Sequence, residues 1–93
     1  MAWKVTYSRK VQKALKGFNE DIQRRFHILF DLIRVNGPWR SEMPNFGKLT
    51  NTELLHCHLK KGNPTYTCVW EIKDKEIRVV EVKYVGTHEK APY

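Results

Sequence analysis

Long apolar runs are missing from this 93-residue chain. None approaches the 18 or more residues that cross a bilayer, so a transmembrane helix is excluded. The N-terminus, Met1-Ala2-Trp3-Lys4-Val5-Thr6-Tyr7, alternates in polarity and has no signal-peptide block, which points to the cytoplasm. Cysteine is scarce too: Cys57 and Cys68 are too few for a disulfide scaffold and read as small buried hydrophobes. C-x-x-C, H-E-x-x-H, a phosphate-binding Gly-rich loop and a G-x-S-x-G elbow are all absent, so metalloprotease, nucleotide-hydrolysing and serine-hydrolase chemistry have no support. Acidic residues are few. Ten Asp and Glu face seventeen Lys and Arg, a net charge of +7. The first forty residues hold nine basic and three acidic side chains, the remainder eight and seven. A small basic chain of this kind binds nucleic acid or an acidic protein.

What is present describes one folded domain, residues 1–93. At 41% apolar, 12% aromatic and 29% charged, the composition excludes disorder and low-complexity polymer. Trp3, Val5 and Tyr7 alternate with polar neighbours, the pattern of a half-buried strand. Ser8 can cap a short helix carrying Val11, Ala14, Leu15 and Phe18 on one face, with Arg9, Lys10, Lys13 and Lys16 on the others. Asn19 can cap a second, with Glu20 and Asp21 in its first turn, an apolar stripe of Ile22, Phe26, Leu29, Phe30 and Ile33, and a stop at Asn36-Gly37-Pro38. Arg24 and Arg25 lie on this helix. From Asn36 to about Glu53 no period is sustained, and an ordered loop is expected.

Strands follow. Leu54–Lys61 and Thr65–Ile72 flank Gly62-Asn63, a two-residue hairpin signal. A tight turn sets Leu55, Cys57 and Leu59 opposite Trp70, Cys68 and Tyr66, all apolar. A third strand, Glu76–Val85, follows a turn at Lys73-Asp74-Lys75, and its broken parity calls for a bulge near Val79-Val80. The expected fold class is therefore α+β: strand, helix, helix, then a three-stranded antiparallel meander, with the helix hairpin on one sheet face.

Candidate chemistry centres on His56 and His58. At i, i+2 on a strand their imidazoles share a face, a row that Lys60 extends. Imidazoles beside a lysine suit proton transfer at a phosphate, although a solvated sheet face with incidental histidines fits the same pattern. A zinc site fits poorly, because Cys57 points to the other face, and no metal or other cofactor is expected. His27, beside the apolar stripe, reads as structural. Tyr66, Trp70 and Trp3 share the parity of core residues and read as packing. Tyr93, beyond a polar tail, has no periodic partner, and stacking on a base would supply one.

With these residues in view, the chain resembles the RelE/ParE superfamily of toxins from toxin–antitoxin modules, on its RelE-like, mRNA-interferase branch. The resemblance spans nearly the whole chain and rests on element order, on Glu53-Leu54-Leu55-His56-Cys57-His58-Leu59-Lys60-Lys61-Gly62, and on Tyr84-Val85-Gly86-Thr87-His88-Glu89-Lys90-Ala91-Pro92-Tyr93. It implies a RelE-like fold whose sheet face and C-terminal tail cut mRNA on the ribosome without a metal, the 2′-hydroxyl attacking its neighbouring phosphodiester. It implies catalytic roles for His56, His58, Lys60, His88 and Tyr93, with Glu81 as a reserve base. Arg9, Lys10, Lys13, Lys16, Arg24, Arg25, Lys61 and Lys90 would contact ribosome or RNA, and the expected partners are an acidic antitoxin, the ribosome and mRNA. Departures are visible: some members carry lysines where His56 and His58 stand, and Thr67 occupies a common arginine position. A gyrase poison on the same fold and a non-catalytic RNA- or protein-binding domain are the competing readings; neither needs the histidines.

Overall fold

The alternation at the N-terminus becomes a strand, β1 (Lys4–Tyr7), in a computed structural model that describes residues 2–50 and 52–91. Ser8 ends it. Its hydroxyl accepts the Val11 N–H at 3.2 Å and caps α1 (Arg9–Lys16). Asn19 caps α2 (Glu20–Asn36) likewise, taking the Ile22 N–H at 3.0 Å. Each cap satisfies a first-turn donor that has no intrahelical partner. Gly37 closes α2 at φ 99°, where a side chain would be strained. None of the helices formed by the described residues is long and apolar enough to cross a membrane.

The expected meander is present as β3 (Leu54–Lys60), β4 (Tyr66–Asp74) and β5 (Val79–Thr87), but the sheet is wider, and mixed. β1 lies parallel to β5, from Lys4 beside Val79 to Tyr7 beside Val82. The segment expected to be a loop contains β2 (Gly47–Lys48), antiparallel to β3 with Gly47 opposite His56. The order is β1-β5-β4-β3-β2. Two residues carry no readable period, which is why β2 escapes detection in the sequence.

Both helices cover one face. Val11 and Leu15 of α1 and Ile22, Phe26, Leu29 and Ile33 of α2 pack on Leu55, Cys57, Cys68, Trp70, Val80, Val82 and Val85. Full burial of each large aliphatic side chain contributes about 1.5–3 kcal/mol, so this layer is the main source of stability. The Trp70 indole N–H donates to the Pro38 carbonyl at 3.0 Å and ties down the chain leaving α2.

Three bulges re-aim the meander. The β3–β4 register follows expectation through His58 opposite Thr67, and then Leu59 is supernumerary, so Lys60 instead of Leu59 faces Tyr66. The connection runs over residues 61–65 instead of the two-residue turn, with the Thr65 hydroxyl accepting from the Gly62 N–H at 3.2 Å and donating to its carbonyl at 2.9 Å. On β5, Trp70 faces Val82 and Val69 faces Tyr84, leaving Lys83 as the extra residue. Val80, Val82 and Val85 thus face the core, while Tyr84 and Gly86 turn to the other face. A third shift falls at Lys73, between Ile72 opposite Val80 and Asp74 opposite Val79, next to the position where the parity break suggests one. The turn lies at residues 75–78 instead of 73–75, and β5 begins at Val79 instead of Glu76.

Candidate active site

Two rungs of the sheet organise the face away from the helices. One runs His56, Val69, Tyr84; the next runs His58, Thr67, Gly86. Gly86 makes the second rung low. A Cβ there would lie 2.6 Å from the Tyr84 hydroxyl oxygen, so the Tyr84 ring lies across the glycine. That hydroxyl donates to the Thr87 carbonyl at 2.7 Å and fastens the end of β5. The His88 N–H then donates to the Thr65 carbonyl at 2.8 Å, opening a single 3-10 turn, His88–Lys90. These ties bring the His88 imidazole edge-on to that of His58, with centroids 5.4 Å apart and planes at 83°. Beside them lies a cleft of about 200 Å³ lined by His58, Gly62, Asn63, Pro64, Thr65, His88 and Glu89.

His56 stands next to this pair, outside the cleft lining. Its ring fills the space over Gly47, where an added Cβ would come within 3.4 Å of Nε2. Burial, then the charge of His88, pull the His56 imidazole below its ordinary pKa. For His58 the same two causes act in that order, followed by Lys61 and His56. Both shifts favour the neutral ring, the form that accepts a proton. The Nδ1 atom of His58 is buried without a hydrogen-bond partner.

The other sequence candidates separate. Lys60 leaves the expected row, because the Leu59 bulge turns it toward α2, where its ammonium meets the Asp21 carboxylate at 3.1 Å. Lys61 supplies the positive charge near His58 instead. Glu81 faces Glu71, two same-face rungs, or roughly 13 Å of strand, from the His58 rung. There it is bound to Lys83 at 2.9 Å. Arg24 and Arg25 hold Asp21 at 2.9 and 3.1 Å, and Arg25 also donates to the Leu59 carbonyl at 3.2 Å. Arg9, Lys10, Lys13 and Lys16 are exposed along α1, and Lys90 is exposed beyond His88. Tyr93 lies outside the described residues. Among the described residues, no three His, Cys, Asp or Glu side chains are grouped to hold a metal ion.

Several contributors escape the sequence reading. Gly47 and Gly86 make room for rings, Tyr84 anchors the tail, and Glu89, Asn63 and Thr65 line the cleft. Only Glu89 leaves a trace in the sequence, as a carboxylate adjoining a candidate histidine.

No family model matches the chain, and no curated protein sequence matches it. Solved structures do. The archaeal RelE–RelB complex from Pyrococcus horikoshii OT3 is similar at 20% identity and a TM-score of 0.74, over 98% of this chain and 100% of that one. The fold is that of RelE. A double arginine-to-alanine mutant of the E. coli toxin RelE, in its free state, is similar at 16% identity and a TM-score of 0.72, over 96% of this chain and 86% of that one. On this RelE-like fold the His58–His88 cleft lies where the end of β5 meets the β3–β4 hairpin.

Proposed function

We propose that this chain is the toxin of a toxin–antitoxin pair and that it acts as a ribosome-dependent, metal-independent mRNA endonuclease. The carrying observation is the meeting of two imidazoles, one from the sheet floor and one from the tail, at a cleft. Cleavage by an internal 2′-hydroxyl needs a base for that hydroxyl, an acid for the departing 5′-oxygen and positive charge for the phosphorane. His58, biased toward its neutral form, takes the 2′-OH proton as the oxygen attacks phosphorus. The P–O5′ bond breaks, and His88 delivers a proton to the leaving oxygen. The products are a 2′,3′-cyclic phosphate and a 5′-hydroxyl. Lys61 offsets the charge on phosphorus, and His56, over Gly47, binds phosphate from the side.

Its partners follow from charge. The exposed α1 residues Arg9, Lys10, Lys13 and Lys16, together with Lys90, suit the phosphates of ribosomal RNA, which position without reading sequence. The same net charge of +7 suits an acidic antitoxin. The Pyrococcus neighbour, a complex of RelE with RelB, supports that pairing. The test is primer extension on ribosomes programmed with a defined message. His58→Ala and His88→Ala should each slow single-turnover cleavage by about 10²–10⁴-fold, and each should flatten one side of a bell-shaped rate–pH profile. Tyr93→Ala should cost less, because a lost stacking contact is worth about 1–3 kcal/mol. Absence of cleavage by the unaltered protein, or full activity in both histidine variants, rules this function out.

A further inference from the structure

Helix α2 carries two apolar rows. Ile22, Phe26, Leu29 and Ile33 are buried against the sheet, whereas Ile28, Leu32 and Val35 form a second row facing solvent. Ile28 is 54% exposed and Val35 53%, with Leu32 half-buried between them. Together with Asp31 and Asn36 they line a groove of about 340 Å³. Ile28, Asp31, Leu32 and Val35 stand at i, i+3, i+4 and i+7, the four positions that form the hole into which a facing helix inserts one side chain. Charge then says which helix fits. α1 carries Arg9, Lys10, Lys13 and Lys16 and no acid, which suits RNA or an acidic protein. α2 balances Glu20, Asp21 and Asp31 against Arg24, Arg25 and Arg34, so it neither calls for an acidic partner nor repels another α2. At the rim of the groove Asp31 meets Arg34, one turn on, at 3.6 Å.

We propose that this face binds a second copy of the chain, α2 against α2, antiparallel about a two-fold axis at Leu32. Residues lying equally far before and after the axis face each other, which sets Ile28 near Val35 and Asp31 near Arg34 of the other copy, twice over. Leu32 of each copy enters the hole of the other. The patch is thus complementary to itself in shape and in charge, as a two-fold interface requires. Each copy carries +7, but charges more than about 8 Å apart are screened at physiological ionic strength. The His58–His88 cleft lies on the sheet face away from the helices, so pairing through α2 leaves both clefts open. The pairing is independent of the reaction assigned to them. One helix face from each copy buries less than the roughly 1,200 Å² of a stable complex, so the dimer is weak and reversible, with a Kd on the order of 10–100 μM.

Sedimentation equilibrium of the full chain at physiological ionic strength tests this. A reversible monomer–dimer equilibrium is expected. Ile28→Glu, at an exposed position, should abolish it, with thermal unfolding showing that the fold is retained. Asp31→Arg sets guanidinium against guanidinium and Arg34→Asp sets carboxylate against carboxylate, so each should weaken the dimer on the order of 10-fold. The double exchange Asp31→Arg/Arg34→Asp keeps the net charge and should restore the original affinity. A chain that stays monomeric up to about 1 mM, far above the expected Kd, overturns the proposal. A dimer indifferent to Ile28→Glu, or a double exchange no tighter than the single ones, overturns it as well. If the chain is monomeric and Ile28→Glu instead abolishes its co-sedimentation with ribosomes, the face belongs to the ribosome and not to a second copy.

Discussion

Replacing Gly86 by alanine tests how the tail is held. Gly86 sits in the middle of the second rung, and an alanine methyl there would lie 2.6 Å from the Tyr84 hydroxyl oxygen and 2.9 Å from Cζ. Neither distance is tolerable, so the phenol must swing away and give up its 2.7 Å bond to the Thr87 carbonyl. Losing that bond removes about 0.5–1.5 kcal/mol. Forcing the ring aside adds a cost of the overpacking kind, and the total should come to about 1–3 kcal/mol. For a chain of this length each kcal/mol lowers Tm by about 4–8 °C. A double-mutant cycle isolates the cause. With Tyr84→Ala as background the three closest contacts of the methyl are gone, and Gly86→Ala should cost far less or become neutral, since alanine loses less backbone entropy than glycine. Urea and thermal unfolding of the four proteins measure the coupling. If Gly86→Ala costs the same in both backgrounds, the ring is not what excludes a side chain, and the account of how Thr87 and His88 are positioned fails.

Three further outcomes are expected. His56 and His58 have folded-state pKa values depressed below the ordinary value of about 6.5, so the unfolded chain binds more protons as pH falls; their contribution to stability is complete above that value and is lost as pH drops through their folded values. Urea midpoints should therefore fall between pH 7 and pH 5, and a His56→Gln/His58→Gln protein should lose that part of the slope; an unaltered slope contradicts the burial argument. Lys60→Ala should leave ribosomal cleavage unchanged because its ammonium is on Asp21, whereas Lys61→Ala should slow it, and the reverse result in single-turnover assays would mean the bulge at Leu59 is misassigned. Burial pushes the Cys57 thiol up to about 12 and the Cys68 thiol well above its ordinary value, so neither should react with iodoacetamide at pH 8 until urea unfolds the chain; fast native alkylation detected by mass spectrometry would refute their burial.

Periodicity and caps expose the helix hairpin, because Ser8 and Asn19 precede stripes of the correct spacing and Gly37-Pro38 closes the second. Alternation exposes β1 and the β3–β4 register as far as His58, where every inward residue is apolar. Single supernumerary residues are a different matter. Whether Leu59 or Lys83 is bulged depends on the partner strand and on loop length, and neither residue carries a local sign of it. Lys60 is therefore misread as a member of the histidine row. His56 and His58 are legible from residue type and strand parity, whereas His88, in the tail, enters through the family resemblance. Their separation into a cleft pair and a neighbour over Gly47 is not, because it arises from contacts between segments far apart in the chain.

The parallel pairing of β1 with β5 has a consequence for synthesis. Lys4 waits for Val79, and β4 and β5, the central strand of the sheet and its neighbour, are the last strands to be made. While the chain is still growing, α1 and α2 have little of their sheet to cover, and their apolar stripes have nowhere to be buried. No partial product ending before residue 79 can close the sheet, and none ending before residue 88 contains the tail imidazole. Assembly of the cleft is thus postponed until the chain has been translated through its last strand and the histidine that follows it.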